Sequence, residues 1–163
     1  MRKVVVSLLV ISFVFGGVYT LAQADDLKFT IKLDKETYKL GEPVYCKMYL
    51  KNLSQKDVIA NTRFSVNYGP DSEHEVYFKI IDASGNPIKF IPVVTIGPPE
   101  RKWFKTLKQG DYVQYKYELS NNFAFKNASE YAFLAVYENH FEPEGISVWT
   151  GSIESNVVLF EIK

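Results

Sequence analysis

The chain has 163 residues, with 19 basic and 19 acidic side chains, no formal net charge and an apolar share of 47%. That length suits one domain able to bury a core of its own, while the even charge excludes a dedicated nucleic-acid binder or a protein held on an anionic membrane. A single cysteine rules out both an internal disulfide and a paired-cysteine zinc site.

The first segment reads as an export signal. Arg2 and Lys3 precede an apolar run over 4–18 that is interrupted only by Ser7, Ser12, Gly16 and Gly17. Ala22-Gln23-Ala24 then supplies a small-x-small triplet ahead of Asp25 and Asp26. This predicts a signal peptide over 1–24, cleaved after Ala24. The run is shorter than the roughly 20 apolar residues of a bilayer span, so no stable membrane insertion is expected after cleavage. The expected product is a single domain over 25–163 in a periplasmic or extracellular compartment.

Beyond the signal the sequence alternates in short runs, with no sustained helical period. Phe29, Ile31 and Leu33 alternate with Lys28, Thr30 and Lys32, which predicts a strand with one buried and one wet face. A turn over Tyr38–Pro43 leads into the clearest strand, where Val44, Cys46, Met48 and Leu50 oppose Tyr45, Lys47, Tyr49 and Lys51. Polar residues over 52–56 end it. Further strands are expected over 75–81, 103–107 and 112–119, with a hairpin turn at Asp82–Pro87. Another follows over 130–138, where Tyr131, Phe133, Ala135 and Tyr137 share a face. The segments 146–153 and 156–162 are expected to close the domain as a pair. Seven or more short strands at this spacing predict an all-β antiparallel sandwich with Greek-key connections, with a closed barrel as the alternative architecture. The long irregular stretches, 67–74, 92–102 and 139–145, are where such a scaffold carries function.

Several turn motifs carry a family resemblance. At Tyr38-x-x-Gly41-Glu42-Pro43-Val44, with Asn52 eight residues after the valine, the chain resembles the opening hairpin of many bacterial immunoglobulin-like modules. Ile80-Ile81-Asp82-x-x-Gly85, Leu107-Lys108-Gln109-Gly110-Asp111 and Ser129-Glu130-Tyr131-Ala132-Phe133 look like the same pattern. Their order is similar to the bacterial intracellular proteinase inhibitor family and, more loosely, to alpha-macroglobulin-like modules. The resemblance implies an immunoglobulin-like β-sandwich, and the inhibitor family implies inhibition of a protease through loops at one end.

Residues that could carry chemistry are few. His74 lies within Asp71-Ser72-Glu73-His74-Glu75 and His140 within Glu138-Asn139-His140-Phe141-Glu142, but neither has the spacing of a metal motif, and both read as solvated loops. A Gly-x-Ser-x-Gly elbow is absent, and Cys46 falls on the apolar side of its strand as an inert thiol. No Gly-rich phosphate loop is present. No catalytic centre, cofactor or metal is therefore expected. The chain is instead rich in aromatics, with 11 Tyr, 12 Phe and 2 Trp. Tyr45, Tyr49 and Tyr77 on outer strand faces could form a platform for a sugar ring or a protein. Arg101-Lys102-Trp103-Phe104-Lys105 sets three cations beside two large rings, a contact for a carboxylate-bearing or glycan partner; read as structure, it is an edge strand guarded by lysines. Asn52-Leu53-Ser54 and Asn127-Ala128-Ser129 match the glycosylation acceptor pattern. The sequence thus predicts an exported, non-catalytic binding module for a protein or an extracellular polysaccharide, with no nucleic-acid partner. Its candidate binding residues are Arg101, Lys102, Trp103, Lys105 and His140, and the alternative is a proteinase inhibitor acting through end loops.

Overall fold

A computed structural model of the chain describes residues 26–67, 69, 74–91 and 97–163. The predicted signal peptide, together with Asp25, Tyr68 and the segments 70–73 and 92–96, lies outside the described residues. Among the described residues the regular structure is all-β, apart from 3-10 turns at Arg101–Trp103 and Leu119–Asn121. The strands are β1 (Leu27–Leu33), β2 (Thr37–Tyr38), β3 (Tyr45–Asn52), β4 (Val58–Asn61), β5 (Val66–Asn67), β6 (Val76–Asp82), β7 (Phe104–Leu107), β8 (Tyr112–Glu118), β9 (Ser129–Asn139), β10 (Gly151–Glu154) and β11 (Val158–Ile162).

They form three sheets: β1-β3-β8, β2-β11-β9-β6-β5 with β10 also on β9, and the pair β4-β7. None closes on itself, so the alternative of a closed barrel is not realised. In the first sheet the alternation fixes the register. Phe29 lies opposite Leu50, Ile31 opposite Met48 and Leu33 opposite Cys46, because a slip of one residue would turn every apolar side chain outward.

The second sheet departs from the expected pairing in two ways. It is mixed, since β2 runs parallel to β11 and β5 parallel to β6. Both additions are two residues long, too short for alternation to announce them. In addition, the segments 146–153 and 156–162 do not close the domain as a pair. β10 and β11 both lie along β9, β10 on Val136–Asn139 and β11 on Ser129–Phe133. Between them Ser155, Asn156 and Val157 face only Leu134 and Ala135, a β-bulge. Ser155 holds the break, its N–H donating to the Ala135 carbonyl at 2.8 Å and its Oγ accepting from the Ala135 N–H at 2.9 Å. The bulge turns Asn156 toward β1, where its amide accepts from the Ile31 N–H at 3.0 Å and donates to the Ile31 carbonyl at 3.1 Å.

One apolar core takes side chains from all three sheets. Phe29 on β1 meets Tyr137 on β9 at 5.7 Å between ring centroids, and Phe78 on β6 stacks on Tyr117 of β8 at 5.8 Å. Each large side chain removed from water contributes about 1.5–3 kcal/mol before ordering costs. The buried Tyr137 hydroxyl is satisfied by the Asn61 carbonyl at 2.7 Å. Asn52 is fully buried at the end of β3. Its amide donates to the Lys56 and Leu107 carbonyls at 2.7 and 2.8 Å and accepts from the Ser54 N–H at 2.8 Å, which ties the 53–57 turn to β7. That side chain is therefore closed to glycosylation, whereas Asn127 is exposed.

Burial holds protons on several core groups. It pushes the Cys46 thiol and the Tyr117 phenol up to about 12. Tyr38 is raised by burial and by its hydrogen bond to Asp34, and Tyr137 by burial and by the nearby Glu75 charge. The unfolded chain releases these protons near the ordinary values of about 8.5 for Cys and about 10 for Tyr, while the folded chain keeps them. Their contribution to stability is thus complete below the unfolded values and is lost as pH rises toward the folded ones. Denaturant midpoints measured at about pH 7.5 and about pH 10.5 are expected to fall at the higher pH. In the same samples Cys46 is expected to resist alkylation at pH 7.5 until the chain unfolds.

Candidate ligand-binding cleft

The segment from β4 to β6 carries a polar cluster inside the protein. Glu75, immediately before β6, is 2% exposed. Its Oε1 accepts from Asn61 Nδ2 at 2.9 Å and from an Arg63 terminal nitrogen at 2.8 Å. Its Oε2 accepts from Arg63 Nε at 3.1 Å and from the Ser65 N–H at 2.9 Å. Arg63 donates once more, to the Gly97 carbonyl at 2.7 Å. Such a pair is retained only because nearly every lone pair and proton is matched, since two charges lose several kcal/mol each in leaving water.

This clamp forces an unusual backbone. Phe64, between Arg63 and Ser65, has φ of +54°, a left-handed conformation that bulky residues seldom take and that costs about 1–3 kcal/mol. The reward is burial of its ring, which stacks on Tyr115 at 6.0 Å and meets Tyr137 at 5.9 Å. Beside it Ser65 is 7% exposed, and its hydroxyl is the one buried side-chain polar atom with no hydrogen-bond partner among the described residues.

The Arg63–Val66 turn forms one wall of a cleft of about 700 Å³. Tyr115 and Tyr117, on the inner face of the edge strand β8, make the facing wall, and Phe90, Trp103, Glu100 and Asn122 complete the rim. Asn122 is held by Tyr117, whose hydroxyl donates to its amide oxygen, and by its own donation to the Ile91 carbonyl at 2.7 Å. Trp103 is fixed through its backbone, the Trp103 carbonyl accepting from both the N–H and the hydroxyl of Thr62 at 2.8 Å. The result is a concave site of aromatic faces with a few hydroxyl and amide groups, the composition of a small-molecule or sugar pocket.

Of the residues predicted from sequence, only Trp103 lines this cleft. Lys102 lies over the Trp103 ring at 5.6 Å and pairs with Glu100 at 2.8 Å, on the exposed side of the turn. Arg101 and Lys105 are exposed, Lys105 in a strand that, among the described residues, pairs only with β4. The Nε2 of exposed His140 stands 3.6 Å from the Glu138 carboxylate. Phe104 and Phe141 meet at 6.1 Å, so the predicted segment and the chain after His140 are neighbours, although His140 is not part of the cleft. The three platform tyrosines do not form one row: Tyr45 and Tyr49 lie on β3 and Tyr77 on β6, in different sheets. His74 hydrogen-bonds Asn67 at 3.3 Å, and no group of three His, Cys, Asp or Glu side chains converges among the described residues. The sequence placed Tyr115 and Tyr117 on one strand face, but nothing in it linked Arg63, Phe64 and Ser65 to Glu75. The only trace of that link is an apolar ring set between two polar residues.

No family model matches the chain, and no curated protein is significantly similar to it.

Replacing Glu75 with Gln keeps the shape of the clamp but removes the charge facing Arg63. It is expected to destabilise the fold by about 3–5 kcal/mol. Arg63→Met combined with Glu75→Gln should cost clearly less than the sum of the two single changes, and denaturant unfolding of the double-mutant cycle measures the difference.

Proposed function

We propose that this chain is an exported, non-catalytic binding module, an immunoglobulin-like β-sandwich whose cleft beside β8 takes part of an extracellular polysaccharide. The sandwich reading is supported by two open sheets whose inner faces supply one core. The observation that carries the binding reading is the concave wall of aromatic side chains, Phe64, Tyr115, Tyr117 and Trp103, with the Asn122 amide at its rim. A sugar residue suits such a site, its C–H face packing on the rings and its hydroxyls bonding the Asn122 amide at the rim. Strain at Phe64 fits the same reading, because costly backbone conformations concentrate where a ligand site needs them.

Two tryptophans make the test direct, since Trp149 is buried and Trp103 is only partly covered. Cello-, xylo- and galacto-oligosaccharides titrated against intrinsic fluorescence are expected to change Trp103 emission and shield it from acrylamide, and Trp103→Phe removes the response. Ser65→Ala is expected to leave the denaturant midpoint unchanged or to raise it, since it removes a buried hydroxyl that has no partner among the described residues. Unchanged quenching with every oligosaccharide defeats the proposal. Protection of a protease substrate's cleavage site, through inhibition of the protease, would favour the inhibitor reading instead.

A further inference from the structure

The lysines of the first sheet are gathered on one face. β1, β3 and β8 contain Lys28, Lys32, Lys47, Lys51 and Lys116, and their only carboxylate is Glu118. The register sets them in rows across the strands. Lys28 lies opposite Lys51, which lies opposite Tyr112; Lys32 lies opposite Lys47, which lies opposite Lys116; and Thr30, Tyr49 and Gln114 form the row between. Directly opposed residues share a face, so all five ammonium groups leave the sheet on its outer side, away from Phe29, Ile31, Met48 and Leu50. The chain as a whole has no net charge, so this is segregation of charge and not general basicity.

Like charges directly opposite one another destabilise a sheet, and three such pairs occur here: Lys28 with Lys51, Lys32 with Lys47, and Lys47 with Lys116. None of the five lysines forms an ion pair among the described residues. Protection against edge-to-edge pairing explains lysines on β1 and β8, which are the edges of this sheet. It does not explain Lys47 and Lys51, because β3 is the central strand. Between the lysines a shallow groove of about 270 Å³ is lined by Lys28, Thr30, Lys32, Tyr49, Lys51 and Tyr112. Tyr112 is 61% exposed, and its ring meets that of Tyr49 at 6.1 Å with 51° between the planes.

We infer that this outer face is a second binding surface, for an acidic polysaccharide of the uronic-acid type. Carboxylates along the polymer neutralise the two lysine rows, which are about 13 Å apart from the four-residue strand rise. Sugar rings occupy the groove against the tilted faces of Tyr49 and Tyr112. The cations are all lysines, hydrated point charges that impose no bidentate geometry, so they match charges spaced along a polymer and not a single clamped headgroup. The paired rings diverge instead of offering the parallel slot that stacked bases need, and the face has no apolar anchor for a bilayer beyond the tyrosines. These features favour a carboxylated sugar polymer over a nucleic acid or a lipid surface. The inference rests on the reading of the chain as a binding module but not on the cleft.

The test measures affinity for sodium polygalacturonate, dextran, a single-stranded oligonucleotide and phosphatidylcholine–phosphatidylglycerol vesicles. Polygalacturonate is expected to bind and to weaken with added salt, and dextran is not expected to bind this face. Changing Lys32, Lys47 and Lys116 together to Gln should lower the affinity about tenfold, the combined worth of three exposed ionic contacts. It should leave the denaturant midpoint unchanged or higher, since like-charge opposition is relieved. Tyr49→Ser with Tyr112→Ser should weaken binding without changing its salt dependence. The inference is overturned if polygalacturonate does not bind, if either set of changes leaves its affinity intact, or if the oligonucleotide or the vesicles bind as tightly. Loss of polygalacturonate binding in Trp103→Phe, with the lysine variant unaffected, would move the polymer to the cleft and overturn only the outer-face assignment. A Trp103 response to neutral oligosaccharides without any polygalacturonate binding would overturn the outer face and leave the cleft reading intact.

Discussion

Glu75 places both carboxylate oxygens inside the protein, each accepting two hydrogen bonds, and the course of the chain from Asn61 to Val66 follows from that constraint. Asn61 passes the constraint outward, since its amide also reaches Asn139 at 3.4 Å, which in turn donates to the Trp149 carbonyl at 2.8 Å. Trp149 is itself fixed to β4 through the Ile59 carbonyl at 2.8 Å. A single buried carboxylate thereby sets β4, β6, β9 and the segment after β9 relative to one another. Hydrogen bonds to a charged acceptor are individually stronger than neutral ones. Their main effect here is geometric, because a buried charge tolerates no arrangement that leaves it unmatched.

Strand β8 is where this internal order meets the outside. Among the described residues it pairs only with β3, and its inner face packs on Phe64 and Phe78 while its outer face meets solvent. Its inner residues Tyr115 and Tyr117 face the Arg63–Val66 turn, and its outer residues Tyr112, Gln114 and Lys116 extend the lysine rows. Alternation along one strand therefore supplies the aromatic wall of a recess on one side and a wet cationic surface on the other. Lys116 illustrates the division, its ammonium lying 3.6 Å from the centroid of the Tyr45 ring on the outer face, while its neighbour Tyr117 stacks on Phe78 in the core.

What could be read from the residues follows the reach of local physics. Alternation located β1, β3, β6, β8 and β9 to within a few residues, because in each a row of apolar or aromatic side chains recurs at every second position. Turn chemistry was equally legible: Gly110 has φ of +82°, and Asp111 closes the Lys108–Asp111 turn by accepting from the Lys108 N–H at 3.0 Å. Asn52 stood out at the end of its strand, although its role as a buried link to Leu107 depends on a partner 55 positions away. The short strands β2, β4 and β5 have no room for a period. The partners of β10 and β11 were missed because register between distant strands is a property of three dimensions. At the cleft, Trp103 was visible as an aromatic beside cations, but the surroundings that give it a use come from Arg63–Val66 and β8. On the outer sheet face every lysine was visible by alternation, and only the cross-strand register revealed that they face one another.

Asn156 sits in the bulge between β10 and β11, yet its amide completes the backbone of Ile31 on β1. The first described strand thus gains one of its partners from a residue near the other end of the chain. The same holds for β6, which waits for β9 across Val76 and Tyr137, and for β3, which waits for β8 across Leu50 and Val113. Closing such large loops costs entropy before any contact rewards it, so chains wired this way fold on the millisecond-to-second scale of non-local β proteins. The order of assembly is set accordingly: β1 and β3 can pair early, but the second sheet has no centre until β9 arrives and the Ile31 backbone lacks a partner until the bulge after it is in place, which makes the last quarter of the chain the step that commits the whole to its native form.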